Sequence, residues 1–265
     1  MAQKTSKIIL ALMAFSCLNA TAQKREKFEF VSNLPVYADS LIAHFDYPLA
    51  WENSGIKKFG KWKKIARQKV FDCMLMPPPP PAGGYQTKVL FEEQRDGYKA
   101  QKIEIRLSQY YTVPAYVLVP DGKGPFPAIN LLHDHGAHLY IGKEKMIRPL
   151  ACEEAAVVKD ADEQLSFKYD RTENGGFANC FPGLRRWMDY PHVASIACPK
   201  PMLFINGKQD KLFPVPGVEK AFSIMHNTWQ SQGADDKLET ELWDIPHSCG
   251  LNAQQRVLEF FKKHL

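Results

Sequence analysis

Asn130-Leu131-Leu132-His133-Asp134-His135-Gly136-Ala137 is the stretch on which the reading of the whole chain turns. With Phe126 to Ile129 before it, it forms a continuous apolar run that stops abruptly at a polar turn containing His-Gly. A strand buried on both faces of a parallel sheet has this texture, and its carboxyl end is where α/β sheets open into a ligand crevice. The spacing therefore predicts a buried strand over Phe126–Leu132 and a functional loop at His135-Gly136-Ala137.

Upstream, Thr87–Glu92, Tyr98–Leu107 and Val113–Val119 are predicted strands, the first two joined at Asp96-Gly97. Ile103, Ile105 and Leu107 alternate with Lys102, Glu104 and Arg106, so one face of that strand is solvated. Downstream, Glu153–Leu165 and Leu184–Tyr190 are expected helices. Pro201–Asn206 is a parallel-type strand, Pro216–Gln230 a helix, Leu238–Trp243 a strand and Asn252–Lys263 a helix. Strands alternating with helices in this way define an α/β architecture.

Before residue 77 the texture is helical over 24–75. Phe59, Trp62, Ala66 and Val70 recur at helical spacing, with lysines on the opposite face. Packing of that stripe on a core, with the lysines in water, is the ordinary consequence; contact with an anionic membrane surface or polysaccharide is the other. The domain organisation expected is a signal peptide over 1–22, a helical extension over 23–76, a Pro/Gly linker over 77–84, and an α/β domain over 85–265 that is shortened near 150–182. Pro77 to Pro81 followed by Ala82-Gly83-Gly84 is a stiff polyproline spacer ending in a flexible joint.

Lys4 and Lys7, an apolar run over Ile8–Leu18 and Ala20-Thr21-Ala22 form the three parts of a secretory signal, so the expected location is periplasmic or extracellular. Removing residues 1–22 takes two lysines from a formal charge of +5, leaving 5 − 2 = +3. That balance gives no argument for a nucleic-acid partner, and no second apolar segment has membrane length. Six cysteines become five without Cys17, an odd and widely spaced set that is no disulfide framework.

Asp210 lies just past the strand 201–206 and His247 just past the strand 238–243. One helix separates the two strands, so in a right-handed parallel unit both residues come to the same sheet end. An aspartate that fixes an imidazole in one tautomer is the orienter–base half of a catalytic triad. Glycine in His135-Gly136-Ala137 would let backbone N–H groups approach a reacting oxygen as an oxyanion hole. A metal site at His133, Asp134, His135 and His138 is the rival reading. Alternate strand residues point to opposite faces, and no distant carboxylate is paired with them by spacing. Neither a metal nor another cofactor is expected.

These residues carry a family resemblance. Leu131-Leu132-His133-Asp134-His135-Gly136 with Gly142-Lys143-Glu144-Lys145 resembles the dienelactone-hydrolase-like and acetyl-xylan-esterase-like branch of the α/β-hydrolases. Phe45-Asp46-Tyr47-Pro48-Leu49 through Pro80 is similar to the helical extension of its secreted bacterial members. Asp189-Tyr190-Pro191-His192-Val193-Ala194-Ser195-Ile196-Ala197-Cys198-Pro199-Lys200-Pro201, continuing to Asp210-Lys211-Leu212-Phe213-Pro214, is similar to the late part of the same group. The resemblance spans most of 30–150 and 182–265. It implies an incomplete α/β-hydrolase sheet with an N-terminal helical extension and a serine-esterase type activity on small-molecule or carbohydrate-linked carboxylic esters. Asp210 would be the triad acid, His247 the base, and the region around Gly136 and Ala137 the oxyanion donor.

One part is missing from the sequence. The nucleophile of such a site stands in G-x-S-x-G on a strand-to-helix elbow, and no such motif occurs. Cys180 is the one substitute, but no apolar strand precedes it and Pro182 stands where the elbow helix would begin. Ser248 adjoins His247 and cannot reach its neighbour's ring in the usual way. The interval from Ala137 to Pro201 shows no clear strand, as if an internal block were lost. Strands 127–132 and 201–206 must then pair directly or leave apolar edges exposed. Turnover is expected to be very weak or nil. The alternative is a non-catalytic protein that binds carbohydrate through the basic helix and aromatics such as Trp187 and Trp229.

Overall fold

The structure, a computed structural model, describes residues 30–31, 34–35, 40–41, 43–74, 79–133, 142–154 and 182–265. Residues up to Asp46 and residues from Tyr47 onward form two units. In the first, β1 (Phe30–Val31) pairs antiparallel with β2 (Leu34–Pro35), Phe30 opposite Pro35 and Val31 opposite Leu34. The uninterrupted helical texture expected from 24 is therefore broken by a short hairpin, as Pro35 at a strand end suggests.

In the second unit, α1 (Phe59–Asp72) forms where the amphipathic stripe predicts it. Trp62 and Ala66 are fully buried, and Leu184 and Met188 share their core, with Phe59, Val70, Val193 and Ile196 around it. The Trp62 ring stacks on Phe59 at 5.1 Å, and its indole N–H donates to the Leu49 carbonyl at 2.9 Å. Lys63 reaches the Cys198 carbonyl at 2.6 Å, and the Lys69 ammonium lies 4.5 Å over the Trp187 ring. The helix is thus no appendage in packing. Its apolar face is completed by residues more than a hundred positions later in the chain.

Beyond the proline run, β3 (Gln86–Arg95), β4 (Tyr98–Arg106) and β5 (Thr112–Pro120) form an antiparallel meander in chain order. Gly97, with φ +82°, makes the expected turn between Arg95 and Tyr98, a conformation glycine adopts without cost. A bulge between Val89 and Phe91 shifts the register by one residue.

The buried strand expected over Phe126–Leu132 does not form. Residues 125–133 are irregular, and Ile129, Leu131 and Leu132 are 49%, 53% and 83% exposed. A parallel strand exists only through a ladder with neighbours, and among the described residues nothing pairs with this segment. Direct pairing with the strand after Pro201 is likewise not found; the exposed apolar edge is the outcome. Asp134, His135, Gly136, Ala137 and His138 lie outside the described residues, as do Cys180 and most of the helix expected over Glu153–Leu165. Glu153 itself is not helical. Its carboxylate is taken by Lys102 at 3.0 Å and by the Tyr116 hydroxyl.

The helix expected over Leu184–Tyr190 is instead two, α2 (Pro182–Arg185) and α3 (Tyr190–Ser195). Asp189 accepts the Tyr190 N–H at 2.9 Å, while the His192 ring nitrogen accepts the Asp189 N–H at 2.9 Å, a reciprocal cap with Pro191 in the first turn. A helix starts at such a sequence and does not run through it.

The C-terminal pattern forms as expected, with β6 (Met202–Gly207), α4 (Val215–Ser231), β7 (Leu238–Trp243) and α5 (Leu251–His264) in succession. β6 and β7 are parallel, Met202 opposite Leu238 and Gly207 opposite Trp243. Strand alternation places Met202, Phe204 and Leu238 on one face, where they pack with Met225 and Trp229 of α4. On that face His226 of α4 bridges Asp235 and Thr240, each at 3.0 Å. Glu239 and Glu241 point the other way and are held by α5, Arg256 bonding both and Lys263 meeting Glu239 at 2.7 Å. Two helices therefore sandwich a two-stranded parallel sheet.

Hydrogen bonds from Lys263 and then Arg256 hold the Glu239 carboxyl down at about 2, well below its ordinary 4.5. A carboxyl lowered on folding stabilises above its unfolded value and loses that contribution as the proton returns. Glu239→Gln is expected to cost about 1 kcal/mol at neutral pH, as for a partly exposed ion network. The difference from wild type should vanish as urea midpoints are followed from about pH 5 down to pH 2.

Among the described residues no helix is long and apolar enough to cross a membrane. Cys73, Cys152, Cys198 and Cys249 are free thiols. Burial pushes the Cys198 thiol up to about 11, which leaves it a protonated core side chain.

Candidate active site

Two loops leave the carboxyl ends of β6 and β7, and backbone hydrogen bonds stitch them together. The Lys208 N–H donates to the Trp243 carbonyl at 2.7 Å and the Gln209 N–H to that of Ile245 at 3.2 Å. The Gln209 side-chain amide adds a bond to Asp244 at 3.0 Å. Close contact is possible because residue 207 is glycine. A Cβ there would lie 2.2 Å from the Ile245 carbonyl oxygen and 2.8 Å from that of Pro246.

This seam brings Asp210 and His247 together. His247 Nδ1 lies 2.6 Å from Asp210 Oδ2. The other carboxylate oxygen accepts the Leu212 N–H at 2.8 Å, which fixes the plane of the group. Asp210 is buried, with 3% of its side chain exposed, whereas the imidazole is 47% exposed. With the carboxylate oxygen as acceptor, Nδ1 is the donor of this bond, which leaves Nε2 as the ring nitrogen that Asp210 does not engage. Phe213 flanks the ring at 6.1 Å between centroids, nearly parallel to it.

The other residues read from the sequence are placed less favourably. His135, Gly136 and Ala137 are outside the described residues. His133 precedes them, and its ring lies against Gly142, where a Cβ would come within 2.4 Å of it. Ser248 donates to the Pro246 carbonyl at 3.4 Å. Among the described residues, no hydroxyl or thiol bonds to His247 Nε2. No group of three or more His, Cys, Asp or Glu side chains among them is placed to hold a metal ion. Trp229, considered for carbohydrate contact, is fully buried with its N–H on the Lys200 carbonyl at 3.1 Å; Trp187 is 36% exposed. Gly207, Gln209 and Phe213 were not singled out by sequence reasoning. Glycine immediately after an apolar strand run was the available signal for close backbone approach.

The fold and this pair define a protein of mixed helix and sheet with a carboxylate–imidazole pair at the carboxyl end of two adjacent parallel strands. No protein-family model matches the chain, and no curated protein sequence does. Among solved structures it is similar to one from Bacteroides fragilis described as a candidate acetyl xylan esterase. The two share a TM-score of 0.60 and 12% identity over 92% of this chain and 97% of that one. A second, described as methylesterase BT1017, gives a TM-score of 0.47 and 15% identity over 85% of this chain and 68% of that one. At such identity the first likeness shows a shared fold and nothing more.

Proposed function

We propose that the chain carries the acid–base half of a carboxylic ester hydrolase site, acting on small or carbohydrate-linked esters at a low rate. The observation that carries this reading is the 2.6 Å bond between exposed His247 and buried Asp210 on loops from two adjacent parallel strands. Asp210 orients the ring and stabilises its protonated form. Since no G-x-S-x-G occurs in the sequence, water is the attacking group. His247 Nε2 takes a proton as the water oxygen adds to the ester carbonyl. It returns that proton to the alcohol oxygen as the C–O bond breaks, giving carboxylic acid and alcohol. In this reading the sequence between 137 and 201 lacks the apolar strand run that would carry a nucleophile, and among the described residues nothing pairs with 126–132.

Hydrolysis of p-nitrophenyl acetate should proceed without an initial burst, because no acyl-enzyme accumulates. The rate should be at the low end of general-base catalysis, about a hundredfold above buffer, and His247→Ala should return it to background. A rate indifferent to His247→Ala would overturn the reading. A burst would place a nucleophile in the chain after all.

A further inference from the structure

The meander has two unlike faces, and its register identifies one of them. Gln86, Arg106 and Thr112 stand opposite one another across β3, β4 and β5, and Lys88, Glu104 and Pro114 form the next row on the same face. Farther along this face the segment 142–154 lies across it. There Glu153 takes Lys102 and Tyr116, and Arg95 donates to the Arg148 and Pro149 carbonyls at 2.9 and 2.7 Å. The near half, toward the loop joining β4 to β5, stays open as a cavity of about 520 Å³.

The open half is shaped for a ligand in two ways. First, the loop is folded by Ser108, which is buried, its hydroxyl accepting the N–H groups of Tyr110 and Tyr111 at 3.0 and 3.3 Å. Both tyrosines line the cavity and remain 73% and 47% exposed. Second, Lys88, Glu104 and Arg106 form no ion pair or side-chain hydrogen bond among the described residues. By contrast, Lys102, on the same face, is paired with Glu153. Two cations against one carboxylate leave the cavity with an excess positive charge.

Exposed aromatic rings beside uncommitted charged and amide groups suit a sugar chain. The C–H faces of a pyranose settle on the rings, its hydroxyls exchange hydrogen bonds with Glu104 and Gln86, and a carboxylate meets the guanidinium fork. Two cations are too few to follow a nucleic-acid backbone, and the lining is too polar for an apolar peptide anchor. We propose that this cavity is a binding subsite for an acidic oligosaccharide, a short chain bearing uronate groups. Tyr110 and Tyr111 form its stacking platform, and Arg106 and Lys88 are its carboxylate partners. The proposal extends the esterase reading by naming the kind of polymer that bears the ester, but the binding itself does not use the dyad.

Calorimetric and NMR titration of the full chain with trigalacturonate and with xylotriose tests it. Trigalacturonate should bind at least about tenfold more tightly than the neutral sugar. Arg106→Gln should remove that preference and leave weak binding of both. Tyr110→Ala with Tyr111→Ala should remove binding of both, with an unchanged circular dichroism melt because all three side chains are exposed. His247→Ala should bind like wild type. Equal affinity for the two sugars, no binding, or an Arg106→Gln or double tyrosine variant that binds as wild type would each overturn the proposal. Lost binding with intact His247-dependent hydrolysis removes the subsite alone, and binding without hydrolysis removes the ester reading alone.

Discussion

Gly207→Ala is expected to destabilise the protein by about 3 kcal/mol or more and to abolish His247-dependent hydrolysis, although residue 207 touches no substrate. Its added methyl carbon would stand 2.2 Å from the Ile245 carbonyl oxygen, a backbone atom that cannot swing away as a side-chain end can. Relief requires the 244–247 loop to move off the end of β6. That movement breaks the Lys208 and Gln209 backbone bonds and takes His247 from Asp210. Separating a base from its orienting carboxylate removes both the tautomer control and the support of the imidazolium. The control is Gly217→Ala in α4, where nothing lies within 4 Å and φ is not positive. There the same substitution should stabilise by about 0.5–1 kcal/mol through helix propensity. Urea midpoints of both variants, with p-nitrophenyl acetate rates, check the pair. Equal effects at the two glycines would refute the account of the seam.

Trp62→Ala carries the second large effect, an expected loss of about 3–5 kcal/mol. The side chain is fully buried, stacks on Phe59, meets Trp51 edge-on at 5.6 Å between centroids, and donates to the Leu49 carbonyl. Truncation leaves a cavity and a carbonyl without its donor. Because Leu184 and Met188 share that core, the loss should appear in the single melting transition of residues from 47 onward. If the helix were an independent appendage, a separate early transition would appear and the main one would stay in place. Lys64→Ala, on the exposed side of the same helix, should change stability by no more than about 0.5 kcal/mol.

Legibility in the sequence followed the range of the interactions. The final β6-α4-β7-α5 succession was readable almost to the residue, because each element has its own apolar period and turn residues mark its ends. Asp210 and His247 were readable as a pair for the same reason: two successive strand ends must lie side by side. The stripe Phe59, Trp62, Ala66 and Val70 announced a helix, but the identity of what would cover it was not written nearby. The segment 126–132 gave the opposite lesson. Its composition is that of a buried strand, yet a strand is a property of neighbours, and among the described residues it has none. Asp189-Tyr190-Pro191-His192 carries a local signal for a helix start, a reciprocal cap with proline in the first turn, where apolar periodicity alone predicts a helix end.

His247 and Asp210 show where the division falls. The sequence alone determined that a carboxylate and an imidazole end two consecutive parallel strands, since strand period and right-handed crossover leave little choice. Only the tertiary structure decided that they meet at 2.6 Å, because that distance depends on Gly207 admitting the Ile245 and Pro246 carbonyls to the end of β6. Periodicity is set by neighbours along the chain and survives the loss of distant parts. Contact is set by what the rest of the fold leaves room for.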